Sequence, residues 1–425
     1  MSRKREQSCN YNQVIIMSKT TQLTNQPATI PDITLTLDFG GSLTKVLWCE
    51  SSGKMQLLAM EPEVIAVSPE ALATYTSHKM GEADPKDGAW VAIDGKYKAV
   101  GYLARSRFHA NPGLNELKYE RALYKTLAAI WVISQRLHFS DRFSVAVSCL
   151  LPSGEYEDRS RFATQLRTAL ANFTTPTGQL KVTLAHFDCK PEGGGIYLLH
   201  YRNAGKAHLL ERVVAIVMIG YRNAGVLVSY RGQVKPGCTS DLGFVRLVEG
   251  VMSRTSGQSM ERLIPAIVAA GTEVKLDALL HLPRSTSKEG RAEDVVRIAA
   301  SIKEARELYK HALTSWLDNV LPMQELDEIV LCGGTVDYLK SDLKNHFAPL
   351  PCFIDAGVTL PPAFDTQGLG NRLMDVYGAF LVYKTEIKKV FPSYSPLNRA
   401  SYEADSGLSA SSSSASNPST VEVAL

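Results

Sequence analysis

The sequence predicts an α/β chain built from two similar halves, and three observations carry that prediction. At Leu35–Leu47 an alternating β-type run ends in Asp38, passes through Gly40, Gly41 and Ser42, and resumes as a second run. About 180 residues later, at 213–230, the pattern returns as an apolar strand, a glycine turn (Gly220-Tyr221-Arg222-Asn223-Ala224-Gly225) and another apolar strand. Each hairpin opens a series of strands followed by helices. Near the C-terminal end the apolar strand Glu328–Cys332 runs into Gly333-Gly334-Thr335 and then into a helical pattern.

Composition bounds the class. At 425 residues the chain exceeds one typical domain, and a 45% hydrophobic fraction is ample for a sizeable core. The net charge is +3 from 46 basic and 43 acidic residues, which gives no polyelectrolyte signal for direct nucleic-acid binding. Seven cysteines are dispersed without a CxxC spacing, which argues for a reducing, cytoplasmic setting and against a disulfide scaffold or a cysteine-rich zinc site. Apolar runs such as Val213–Ile219 are far too short to span a membrane, and no secretory leader is legible.

Taken in order, residues 1–31 are polar and aperiodic and read as a disordered arm. After the first hairpin, at 33–60, come a short strand at Glu61–Ser68 and a hairpin at 89–103 turning on Asp94-Gly95. Glu116–Leu137 has helical apolar spacing without Pro or Gly, Phe143–Leu151 is an apolar strand, Glu155–Phe173 is helical and Leu180–Asp188 is a strand. Pro191-Glu192-Gly193-Gly194-Gly195 is a break, followed by a helix at 196–210. Helices are expected at 241–254, 259–270, 291–317 and 369–390, and the serine-rich segment from 392 reads as a flexible tail. The pentapeptide Tyr-Arg-Asn-Ala-Gly occurs at 201–205 and again at 221–225, with different flanks that mark it as coincidence.

The chemistry sits at the turns. Gly40 and Gly41 lack Cβ atoms, so their amides can approach phosphate oxygens closely. Asp38 suits a hydrated Mg²⁺, and Lys45 offers a cation to the same place. The stretch equally reads as a glycine hairpin carrying one exposed Asp. Gly220 and the Gly333-Gly334 pair suit close ligand approach, and Arg222 suits a phosphate or a solvated surface. Two such halves can close on a nucleotide from both sides. Competing signatures are missing: no GxxxxGK[ST], no GxGxxG after a strand and no HExxH occurs.

These motifs, in this order, resemble the actin-like ATPases of bacterial plasmids, the ParM/StbA family of the actin, sugar-kinase and heat-shock-chaperone superfamily. The similarity covers about residues 33–390. Asp38-Phe39-Gly40-Gly41-Ser42-Leu43-Thr44-Lys45 resembles the first phosphate motif, and Val217–Asn223, with Gly220, Tyr221, Arg222 and Asn223, the second. Val147–Tyr156 resembles the strand ending in Leu-Pro and an acidic residue, which implies that Glu155 orients the attacking water. Pro191-Glu192-Gly193 resembles a motif near the interdomain crossing, and Leu331–Thr335, with Gly333, Gly334 and Thr335, the adenosine motif. A helix near 291–317 contributes to the adenine pocket in that family. The resemblance implies an actin-like fold: domain I at 32–190, completed by a C-terminal helix at 366–391, and domain II at 191–365. It also implies ATP and Mg²⁺ as ligands, self-association into filaments, and contact with plasmid DNA only through a small DNA-binding adaptor protein. One departure matters. Where the family carries an Asp before the Ile-Gly of the second hairpin this chain has Met218, and Gly225 stands where a further acidic residue often follows. Met cannot hold Mg²⁺, so slowed or altered hydrolysis is expected. A non-polymerising nucleotide switch or scaffold of the same fold is the competing reading. A small-molecule kinase of the same superfamily is less favoured, because no separate substrate loop is legible.

Overall fold

The computed structural model describes residues 30–392 apart from Ser52, Lys79 and Asn115. The arm expected at 1–31 lies outside the described residues up to 29, and so does the expected tail from 393 onward. At the edge of that arm Ile30 is held, its carbonyl accepting a 2.8 Å hydrogen bond from Ser144 Oγ.

The first half contains β1 (Ile33–Phe39), β2 (Thr44–Glu50), β3 (Gln56–Met60), β4 (Val64–Val67), α1 (Pro69–Ser77), β5 (Trp90–Ile93) and β6 (Lys96–Val100). It continues with α2 (Tyr102–Phe108), α3 (Lys118–Arg136), β7 (Arg142–Leu151), α4 (Arg159–Ala171), β8 (Phe173–Thr175) and β9 (Gly178–Pro191). These strands form a sheet ordered β3-β2-β1-β7-β9-β8-β5-β6-β4. The second half contains α5 (Gly194–Ala204), α6 (Lys206–Glu211), β10 (Val213–Ile219), β11 (Ala224–Tyr230), β12 (Gln233–Val234), β13 (Cys238–Ser240), α7 (Phe244–Met252) and α8 (Met260–Ala270). Then follow α9 (Lys288–Val320), β14 (Glu328–Cys332), α10 (Gly334–His346), β15 (Cys352–Ile354) and α11 (Met374–Val390). The second sheet runs β12-β11-β10-β14-β15, with β13 paired to β11.

The two sheets repeat one device. In each, a hairpin joins two seven-residue strands through a four-residue turn, with Phe39 opposite Thr44 in the first and Ile219 opposite Ala224 in the second. The leading strand of each hairpin then pairs in parallel with a later strand, β1 with β7 and β10 with β14. Both faces of these central strands are covered: every residue of β1 is buried, Thr34, Thr36 and Asp38 included, and so is every residue of β7 after Arg142. Side-chain alternation sorts the residues between two layers. Val46 and Trp48 join the core under α3 and α4, with Leu127, Ile130 and Phe162, whereas Leu47 and Cys49 face the other way. In the second sheet Ala215, Val217 and Ile219 face the core under α7, α8 and α9, and Val214 and Ile216 face away from it. The residues turned away meet in one shared cluster: Leu47 and Leu150 from the first sheet, Ile216 and Val330 from the second, Leu199 of α5 and Phe380 of α11.

Helices α5 and α11 therefore fill the space between the sheets, and they cross with their backbones in contact. A Cβ on Gly195 would stand 1.8 Å from the Asp375 carbonyl oxygen, and one on Gly378 would stand 2.1 Å from that of Gly195. Helix α11 also packs on β1, β2 and β7.

Three expectations need correction. The helix expected at 196–210 is broken at Gly205, whose φ of +92° only glycine adopts readily, and becomes α5 and α6. The helix expected from Glu155 begins as a 3₁₀ turn at Ser153–Asp158 and becomes α-helical at Arg159. Likewise the final helix opens with a 3₁₀ turn at Gly370–Leu373. The short strands β12, β13 and β15 are too brief to show periodicity.

Candidate functional site

A cavity of about 800 Å³ lies where the two hairpin turns meet. Asp38, Gly40, Gly41, Ser42, Lys45, Glu192, Gly220, Tyr221, Arg222, Asn223, Gly333, Gly334 and Thr335 all line it. Glu155 is not among the lining residues.

The turns are shaped by glycine. A Cβ on Gly40 would meet the Leu43 carbonyl oxygen at 2.6 Å, and one on Gly41 would lie 3.0 Å from Arg222 Cβ, so the two turns touch. The second turn closes with Gly220 N–H donating to the Asn223 carbonyl at 2.9 Å. Amides at the start of α7 brace it from behind, Phe244 donating to Gly220 O at 3.1 Å and Val245 to Tyr221 O at 2.9 Å. From the far side Thr335 Oγ1 donates to Gly220 O at 2.9 Å. Gly333, at φ +96°, brings the β14–α10 junction so close that a Cβ would stand 2.5 Å from Ile219 O.

Charged groups converge below the turns. Asp38 and Lys45 stand opposite each other across β1 and β2 and form a buried ion pair. Lys45 Nζ also donates to the Arg372 carbonyl at 2.8 Å, and the Arg372 guanidinium donates to Ser42 Oγ at 3.0 Å. Glu192 pairs with Lys118 at 2.5 Å. Asp375 accepts from Gly193 N–H at 2.8 Å and Ile196 N–H at 3.1 Å, capping α5. Burial raises the Glu192 carboxyl above its usual range, Lys118 opposes the shift and Asp38 adds to it. Burial pushes the Asp375 carboxyl up to about 7 against its two amide donors, and Asp38 and Glu192 add to the rise. Burial also lowers Arg372, which Asp38 offsets. Lys118, Arg372 and Asp375 all line the cavity and carry no sequence motif. Each belongs to a stretch the sequence marks only as helical, 116–137 or 369–390, which does not tell which residues face a ligand.

Phe244, Ile264, Val268 and Tyr338 from α7, α8 and α10 give the cavity an apolar and aromatic stretch of wall, beside Asp337, Lys340 and Ser341 of α10. No residue of α9, the helix covering 291–317, lines it. Burial pushes the Tyr221 hydroxyl up to about 12.

Glu155 has a different contact. Helix α3 has no side-chain cap of its own at Leu117, and Glu155 Oε2 accepts from the Tyr119 amide at 3.0 Å. That contact anchors the turn presenting Lys118 to Glu192.

The site thus joins a glycine-lined end, where cations and carboxylates alternate, to an apolar slot. It suits an elongated ligand with an anionic tail and a flat apolar head. The repulsion among Asp38, Glu192 and Asp375 that helps to raise two of their carboxyls is what a divalent cation relieves. Asp38 and Glu192 carry the hard oxygen donors that Mg²⁺ takes, while both oxygens of Asp375 are engaged by amides. Met218, which also lines the cavity, supplies none.

No protein-family model matches the chain, and no curated protein matches it in sequence. Solved structures do match in shape. Bacillus thuringiensis ParM with ATP is 13% identical with a TM-score of 0.55, over 83% of this chain and 98% of that one. A 15-stranded ParM filament from Clostridium botulinum is 14% identical with a TM-score of 0.51, over 84% and 99%. An archaeal actin homologue is 13% identical with a TM-score of 0.51, over 83% and 99%. With its paired hairpins, its central α5–α11 crossing and these likenesses, the chain has the actin-like fold.

Proposed function

We propose that this protein binds ATP with Mg²⁺ between its two halves, self-associates into filaments, and moves or positions plasmid DNA through a small DNA-binding adaptor. The observation that carries the reading is the meeting of two equivalent hairpin turns on one cavity whose floor holds Asp38, Lys45, Lys118 and Arg372. The likeness to a ParM with ATP and to a ParM filament supports it. The near-neutral charge of the chain, +3, suits indirect rather than direct DNA contact. On this reading the chain divides into one domain at 32–190, completed by the C-terminal helix, and a second at 191–365.

The geometry supports the following roles. The glycine turns accept phosphate oxygens, Lys45 and Arg372 neutralise them, and the apolar slot takes the base. Asp38, with Glu192 beside it, would hold Mg²⁺, which supplies charge neutralisation at the phosphates. Glu155 orients water, as its motif implies, or acts through the α3 cap that positions Lys118. On this reading hydrolysis is slowed, or altered in its metal dependence, because Met218 leaves the second hairpin without a carboxylate.

Sedimentation of the purified full chain with Mg-ATP, Mg-ADP or no nucleotide, with phosphate release followed in parallel, tests the reading. ATP-dependent pelleting with slow release is expected. Nucleotide-dependent protease protection without pelleting would favour a non-polymerising switch, the reading that Met218 also suits. Neither response would overturn both.

A further inference from the structure

A second cluster of chemistry-bearing side chains lies at the opposite end of β14 from the cavity. His200 of α5, His208 of α6 and Glu328, the first residue of β14, bring their ligand atoms within 4.8 Å of one another. His200 Nε2 is 2.7 Å from Glu328 Oε1, and His208 Nε2 is 3.0 Å and 2.9 Å from Oε1 and Oε2. Glu328 is 1% exposed and His200 2%, while the His208 side chain is 29% exposed. His200 packs against Phe353 and its Nδ1 is buried without a hydrogen-bond partner, so the ring's interactions are concentrated at Nε2.

The break at Gly205 makes this meeting happen. On one continuous helix His200 and His208 would be separated by about 12 Å along the axis. At Gly205, with φ +92° and ψ 159°, the chain turns instead, and both imidazoles address one carboxylate. The two imidazoles thus converge on one buried carboxylate, an arrangement in which a single cation can be shared by all three groups.

We propose that His200, His208 and Glu328 form a Zn²⁺ site whose fourth position opens to solvent beside His208. Two imidazoles and a carboxylate are a recognised zinc donor set, with bonds of about 2.0–2.2 Å that place tetrahedral ligand atoms roughly 3.3 Å apart. The N···O separations of 2.7 to 3.0 Å reach that spacing by small side-chain rotations. The ion would tie α5 and α6 to β14, the strand that ends at the Gly333 junction. This proposal is independent of the nucleotide reading.

The test uses untagged, chelator-treated full-length protein titrated with ZnCl₂, with bound metal counted after gel filtration and thermal unfolding recorded. One Zn²⁺ per chain and a raised Tm are expected, and Co²⁺ should give the intense visible absorption of a tetrahedral site. His208→Ala should weaken Zn²⁺ binding by about 100-fold or more, and His208→Cys should retain it. Glu328→Gln, should it fold, must weaken binding as well. Wild-type protein that fails to bind one Zn²⁺, or binding unchanged in His208→Ala, would overturn the site and leave a metal-free imidazole–carboxylate network.

Discussion

Met218 stands in the second hairpin where Asp38 stands in the first. Each is the next-to-last residue of its leading strand, and the strand alternation turns each toward the α5–α11 layer. Asp38 faces Lys45 across its hairpin, and Met218 faces Gly225. The second half therefore repeats the backbone of the first without its ion pair. Met218→Asp should restore a carboxylate beside the phosphate-binding end and raise Mg-dependent ATP hydrolysis by about 10-fold or more. In the absence of Mg²⁺ the added charge should cost roughly 1–3 kcal/mol of stability. Phosphate release checks the first effect and urea unfolding the second. An unchanged rate would remove Met218 as the cause of slow turnover.

The contact between the turns at Gly41 and Arg222 sets a second expectation. Gly41→Val would push branched methyl groups into a space where even a Cβ lies 3.0 Å from Arg222 Cβ and 3.2 Å from Leu114 Cδ2. The turns must separate, and affinity for a fluorescent ATP analogue should fall on the order of 10-fold or more, with stability lowered by only about 1–3 kcal/mol. Unaltered affinity would mean that the ligand does not sit between the turns.

Glu155 can be resolved by chemistry. Glu155→Gln keeps an oxygen acceptor for the Tyr119 amide but loses the charge, whereas Glu155→Ala loses both. If the carboxylate orients water, Glu155→Gln should lower hydrolysis by about 100-fold or more while the Tm holds. A cap alone would leave Glu155→Gln active, with Glu155→Ala destabilised by about 1 kcal/mol. Paired rate and Tm measurements separate the two.

Asp375 sets a pH dependence. Its carboxyl is pushed up to about 7 by burial, above the value near 3.8 of an unfolded Asp. The folded chain therefore binds more protons than the unfolded chain between those values, and this group's contribution to stability falls as pH rises from about 4 to 7. The loss is complete above about 7 and amounts at most to roughly 4 kcal/mol. Asp355, also pushed up to about 7 by burial, acts in the same direction, so the measurement is a difference. Wild type should lose stability relative to Asp375→Asn as pH is raised from 4 to 7.5. A parallel pair of curves would mean that Asp375 is ionised throughout.

Gly195 and Gly378 test the crossing itself. Either one changed to Ala would place a methyl group inside the facing backbone, and losses above about 3 kcal/mol are expected in chemical denaturation. Wild-type stability in either variant would mean that α5 and α11 are not held in backbone contact.

Much of the fold was legible because its signals are local. Alternation marks β1, continuous apolar runs mark β10 and β11, and glycines mark the turns between them, while the thirteen motif residues that line the cavity are named with the help of the family resemblance of those motifs. Acidic and basic residues off those motifs cannot be named in that way. Lys118, Arg372 and Asp375 reach the cavity from helix starts far apart in sequence, and Glu155 is occupied by a helix that its own segment does not contain. The repeated pentapeptide makes the division plain. Tyr201–Gly205 ends a helix and Tyr221–Gly225 forms a hairpin turn entering a strand, from the same five residues. Local backbone preference and glycine placement are properties of a short stretch, and the sequence determines them unaided. Which of two allowed conformations a stretch adopts, and which charges share a cavity, depend on burial against distant residues, and only the tertiary structure decides them.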